Sequence, residues 1–106
     1  MYAYKEYVKT CMKWYKDIDF RGYTTLSFYA KKIQNHGGIY IEIGDGSDGQ
    51  WEFAKPYSDL NYEWAKYEVD ISNFADGIHT LNIIGGYVDG SGSRSSNTLY
   101  ADIKLY

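Results

Sequence analysis

Nine aspartates, two histidines and one thiol dominate the side chains here that could do acid–base or nucleophilic chemistry, and their positions argue against both. Glycoside hydrolysis needs two carboxylates facing each other across a cleft, roughly 5–10 Å apart. Asp17, Asp19, Asp45, Asp48, Asp59, Asp70, Asp76, Asp89 and Asp102 fall mostly in turns or at outward strand positions. Turns recruit aspartate for hydrogen bonds to nearby backbone, which needs no catalytic role. A Cys–His or Ser–His arrangement would have to use His36 or His79. His36 sits in a glycine turn. Cys11 has no second cysteine for a disulfide or a zinc site, and it alternates with Lys9 and Lys13 as an incidental thiol. The expectation is a protein without catalysis.

Metal binding rests on one turn. Asp45-Gly46-Ser47-Asp48-Gly49 offers the oxygen ligands that Ca²⁺ takes, but lacks the acidic spacing and terminal Glu of an EF-hand loop. No cofactor is expected, with a structural calcium left open.

Recognition chemistry is better represented. The chain holds 13 Tyr, 3 Trp and 4 Phe against a single Pro, which is rich in side chains with an apolar body and a polar tip. Such rings fill a small β core, and they also stack on the apolar faces of pyranose rings while amides and carboxylates bond the hydroxyls. Tyr29, Tyr40 and Tyr100 fall at outward positions in mid-strand, and Glu42 and Asp102 share that parity. These five are the candidate carbohydrate-binding residues. Shielding of the sheet is the competing role for the tyrosines. Trp64 lies off the parity of Tyr67, Val69 and Ile71, on a loop or an edge.

The elements that must position these residues are strands. Alternation with a period of two runs from end to end, and no stretch keeps a helical period. Val8, Thr10, Met12 and Trp14 share one face of a first strand, and a corner follows over 17–22. Leu26, Phe28 and Ala30 point inward in the second strand, and Ile39, Ile41 and Ile43 in the third. Trp51 and Phe53 begin a short returning strand that Pro56 confines to an edge or an end. Tyr67, Val69 and Ile71 alternate with Lys66, Glu68 and Asp70, and Leu81 and Ile83 lead a strand to about Val88. After a polar Gly/Ser-rich loop over 89–97, Leu99, Ala101, Ile103 and Leu105 are expected inward, opposite Tyr100, Asp102, Lys104 and Tyr106. Seven or eight strands with evenly spaced turns predict an all-β, two-sheet antiparallel sandwich.

At 106 residues the chain reads as one domain spanning 1–106, with no linker or internal repeat. Its net charge of −3 gives no electrostatic case for nucleic acid. No apolar run approaches the ~18–20 residues of a membrane helix. The N-terminal Met1-Tyr2-Ala3-Tyr4-Lys5-Glu6 lacks the apolar stretch of a signal peptide. That fits either a cytoplasmically made protein, such as a virion component, or a module cut from a longer chain.

From Ile18 onward the residues resemble a known pattern. Trp64-Ala65-Lys66-Tyr67-Glu68-Val69-Asp70-Ile71-Ser72, followed by Gly77-Ile78-His79-Thr80-Leu81, resembles the W-x-x-Y-x-V-D-I-S…G-x-H-T-L stretch of galactose-binding-like jelly rolls. Ala101-Asp102-Ile103-Lys104-Leu105 is similar to their closing A-x-I-D-x-I-x-L strand, at slightly different spacing. Ile18-Asp19-Phe20-Arg21-Gly22 reads as the corner feeding the core strand Leu26-Ser27-Phe28. Such domains serve as carbohydrate-binding modules of secreted glycanases, as accessory domains of surface proteins, and in phage tail and fibre proteins. The resemblance implies jelly-roll topology and non-catalytic recognition, usually of glycans. It also implies a location outside the cell or on a virion surface. Many such jelly rolls hold a calcium near the first and last strands, where this chain offers Glu6 and Asp102 without a motif. The alternative is a phage virion component, a tail, fibre or capsid-decoration domain, that docks on other protein subunits. The expected partners are therefore a glycan or protein subunits, with no nucleic acid and no membrane insertion.

Overall fold

The alternating apolar positions fold into two antiparallel sheets packed face to face. The computed structural model describes residues 2–4, 9–10, 13–33, 37–45, 51–57, 60–85 and 98–106. Its strands are β1 (Tyr2–Tyr4), β2 (Lys9–Thr10), β3 (Lys13–Asp19), β4 (Thr25–Lys32), β5 (Ile39–Gly44), β6 (Trp51–Tyr57), β7 (Ala65–Asp70), β8 (Ile78–Gly85) and β9 (Thr98–Leu105). One sheet has the order β1-β9-β4-β7, with β2 on the same strand, β9, as β1; the other has the order β3-β8-β5-β6. Because β1 and β2 pair with successive parts of β9, they share one position, and each sheet has four. From β2 to β5 and again from β6 to β9 the chain alternates between the sheets, which is the double Greek key of a jelly roll.

The facing sides of the sheets form the core. Phe20, Leu26, Phe28, Ala30, Ile39, Ile41, Ile43, Leu81, Ile83, Ile103 and Leu105 are fully buried there. β-Branched residues at alternate positions of β5 and β8 fit the pleated, half-buried surface of a strand. Pro56 lies in β6, an edge strand, where a missing N–H is tolerated. The corner after β3 is a turn closed by Tyr23 N–H donating to Phe20 C=O at 3.1 Å. Gly22 there has φ +86°, a conformation a side chain would resist. Asp19 fixes the approach, accepting from Arg21 N, Nε and Nη2 at 3.0, 2.9 and 2.7 Å. Those bonds hold its carboxyl down at about 2.

Two strands contain an extra residue. Along β9 the pairing passes from Ser27↔Lys104 to Tyr29↔Ala101, so β9 uses two residues where β4 uses one. Asp102 sits in that bulge with φ +55°, the left-handed region that aspartate tolerates better than most residues. Along β6 the pairing passes from Ile43↔Phe53 to Gly44↔Trp51, which leaves Glu52 as the extra residue. Each bulge reverses which face the following side chains occupy.

The β9 bulge corrects the inward set expected for the last strand. Thr98 and Tyr100 are buried before the bulge and Ile103 and Leu105 after it, while Leu99 and Ala101 are only half-buried. Tyr100 is 1% exposed. It is a core residue, not an outward one, and burial pushes its hydroxyl up to about 12.

Candidate functional site

The outer face of the β3-β8-β5-β6 sheet gathers polar and aromatic side chains in three cross-strand rows. One row runs Tyr15–Asn82–Glu42–Ala54, the next Asp17–Thr80–Gly44–Trp51, and the third brings Ile84, Tyr40 and Pro56 together. Outward residues of a sheet are normally wet, yet Thr80 is 2% and Asn82 1% exposed. They are hydrogen-bonded as buried polar groups must be. Thr80 Oγ1 donates to Asp17 Oδ1 at 2.6 Å, and Asn82 Nδ2 donates to Glu42 Oε1 at 2.7 Å. Among the described residues no basic side chain pairs with Asp17 or Glu42. One acceptor is left over: Asn82 Oδ1 is buried without a hydrogen-bond partner.

Two rings lie over this floor. Tyr15 and Trp51 meet edge to face, centroids 6.5 Å apart at an interplanar angle of 83°. Their strands, β3 and β6, are the two edges of the sheet, about 14 Å apart at ordinary strand spacing. The contact therefore requires both rings to lean in across β8 and β5, over the small residues Gly44 and Thr80. Tyr15 keeps 48% of its surface exposed. The result is an aromatic platform above an acceptor-rich floor.

The candidate residues expected from sequence do not form one site. Tyr40 and Glu42 lie on this face, half-buried. Tyr29, on β4, lies on the outer face of the opposite sheet, 36% exposed. Asp102 is exposed in the bulge of that same opposite sheet. Tyr100 is in the core between them. Jelly-roll winding sends consecutive strands β4 and β5 to different sheets, so shared outward parity does not mean a shared face.

Tyr15, Trp51, Thr80 and Asn82 were absent from that set. Tyr15 and Asp17 alternate with Ile18 in phase with an outward role, and Thr80 and Asn82 interrupt the apolar Leu81 and Ile83, so these signals were present. Trp51 had none, because strict alternation would place it beside Phe53. The β6 bulge turns it to the other side.

The opposite outer face is arranged differently. Lys31 Nζ lies 5.6 Å from the ring centroid of Trp64, which is 42% exposed at the start of edge strand β7. Lys66 Nζ lies 5.5 Å from the ring of Tyr106 and 3.6 Å from Glu68. Thr25, Lys66, Glu68 and Tyr106 line a shallow cavity of about 250 Å³.

His79 Nε2–H donates to Asp76 Oδ1 at 2.8 Å, and the ring packs against Phe20 and Phe74, as a structural histidine does. That bond holds the Asp76 carboxyl below its usual value. No three of the described His, Cys, Asp and Glu side chains come together to hold a metal. Glu6, Cys11, His36 and all of the Asp45–Gly49 turn except Asp45 lie outside the described residues. No described helix is long and apolar enough to cross a membrane.

No protein-family model matches the chain, and no curated protein matches it. A solved structure described as "CBM4 structure and function", a carbohydrate-binding module, superposes with a TM-score of 0.59 at 19% identity. The match covers 89% of this chain and 61% of that one, so the chain spans about three-fifths of its neighbour's length. At that identity the likeness establishes the architecture: this is an all-β sandwich with the fold of a carbohydrate-binding module.

Proposed function

We propose that this protein is a non-catalytic carbohydrate-binding domain whose glycan lies across the outer face of the β3-β8-β5-β6 sheet. The observation that carries the reading is the Tyr15–Trp51 pair set above Thr80, Asn82, Asp17 and Glu42. Apolar ring faces next to fixed hydrogen-bonding groups suit a pyranose, which has both kinds of surface. The fold of a carbohydrate-binding module supports the same reading. A role in glycan recognition places the domain outside the cell or on a virion surface. The reading assigns no catalytic step to Asp17 or Glu42, whose carboxylates accept from Thr80 and Asn82 and keep further acceptor capacity.

The test is a panel of soluble neutral oligosaccharides titrated calorimetrically against wild type and Trp51→Ala. Saturable binding that falls by about 30-fold or more in the variant, roughly 2 kcal/mol, supports the reading. Binding to no glycan in the panel, with the wild-type protein forming a defined oligomer by light scattering, would assign the face to docking on protein subunits instead.

A further inference from the structure

On the reading that this face binds glycan, we infer that Asn82 determines its specificity. Asn82 Oδ1 takes a hydrogen bond from a hydroxyl of an uncharged glycan, and the same floor turns acidic glycans away.

The side-chain amide is held in one orientation. Asn82 Nδ2 donates to Glu42 Oε1 at 2.7 Å, so rotating the amide to present its N–H₂ group elsewhere would set two oxygens against each other. Oδ1 is therefore fixed as an acceptor, buried and unpartnered. A buried acceptor left without a donor destabilises the fold unless something supplies one. Asn82 is also central to the face, between Tyr15 on β3 and Glu42 on β5.

Access runs past Tyr15. That ring, on the cross-strand partner of Asn82, is half exposed, and on this inference it turns aside when glycan binds. A sugar ring seated against Trp51 then brings its hydroxyls to the floor. The groups waiting there are Asn82 Oδ1 and the carboxylates of Asp17 and Glu42, which have no basic partner among the described residues. All of them accept. A hydroxylated chain meets that demand, whereas a uronate or sulfate would bring further acceptors and negative charge into a site already carrying both.

The experiment compares Asn82→Val with wild type, using a neutral β-1,4-linked glucose hexasaccharide and the glucuronic acid hexasaccharide of the same linkage, with thermal unfolding followed alongside. The expected result is a tenfold or greater loss of affinity for the neutral chain in Asn82→Val, with a melting temperature equal to or above that of wild type. Wild type binds the acidic chain at least tenfold more weakly than the neutral one, and Glu42→Gln narrows that gap. A structural role for Asn82 would instead lower melting temperature and affinity together. If wild type binds the neutral chain and Asn82→Val binds it equally well, or if the acidic chain binds as tightly, the assignment of Asn82 is overturned while the carbohydrate-binding reading stands. Should wild type bind neither chain and no other neutral oligosaccharide, both fall.

Discussion

The two outer faces of the sandwich carry similar sets of aromatic and charged side chains, with different degrees of internal satisfaction. On the β1-β9-β4-β7 sheet two lysines are engaged: Lys31 lies over Trp64, and Lys66 lies over Tyr106 beside Glu68. Rings and charges there complete one another and shield the sheet. On the β3-β8-β5-β6 sheet the rings of Tyr15 and Trp51 meet edge to face, the carboxylates of Asp17 and Glu42 lack described cations, and Asn82 Oδ1 has no donor. An inventory of residue types would rank the faces equally. What separates them is which hydrogen-bonding capacity the protein leaves unspent.

The largest effect that would test this division lies between the faces. Tyr100→Ala should cost about 3–5 kcal/mol of stability in denaturant titration, as expected for an aromatic removed from the core. A cost under about 1 kcal/mol would return Tyr100 to the surface and undo the assignment of the strand. Next in size is the binding contrast. Trp51→Ala should weaken glycan binding by about 30-fold or more, whereas Trp64→Ala and Tyr29→Ala on the other face should leave it within about twofold. Equal losses on both faces would erase the distinction.

The bulge offers a gain. Asp102→Gly should stabilise the protein by about 0.5–1 kcal/mol, since glycine adopts a positive φ without the steric cost borne by a side chain, and its binding should be unchanged. Smallest is Lys66→Ala, expected to change stability by about 0.5 kcal/mol or less because its partners are exposed. A larger loss would give the engaged face more than a shielding role.

Alkaline titration checks the placement of Tyr100 independently. Its folded value, about 12, lies above the ordinary 10, so its contribution is complete below pH 10 and is lost as pH rises through 12. Tyr100→Phe should make unfolding between those values less steep, as followed by circular dichroism.

Most of the sandwich was legible because alternation reports burial directly wherever pairing is regular. Leu26, Phe28 and Ala30, and Ile39, Ile41 and Ile43, were placed inward from their spacing and are fully buried. Pro56 marked an edge for a covalent reason, its missing N–H. The site was less legible for two reasons. Parity says which side of a strand a residue takes but not which sheet the strand joins, so Tyr29 and Tyr40 looked like neighbours and lie on opposite faces. A bulge then resets parity without any marker as strong as glycine, since the extra residues are Asp102 and Glu52. The two resets moved aromatics in opposite directions. Tyr100 went from expected surface to core, and Trp51 went from the phase of Phe53 to the outer face.

The bulge in β9 has a further consequence for changes in chain length. Removing Asp102 alone would join Ala101 to Ile103 and restore unbroken alternation, with Tyr100, Ile103 and Leu105 still inward. Removing Leu99 or Lys104 instead would rotate one half of the strand out of phase with the core. Position 102 is therefore where this strand can lose a residue and keep every core side chain in place. The final strand carries a built-in allowance for insertion and deletion that an unbulged strand of the same composition would lack.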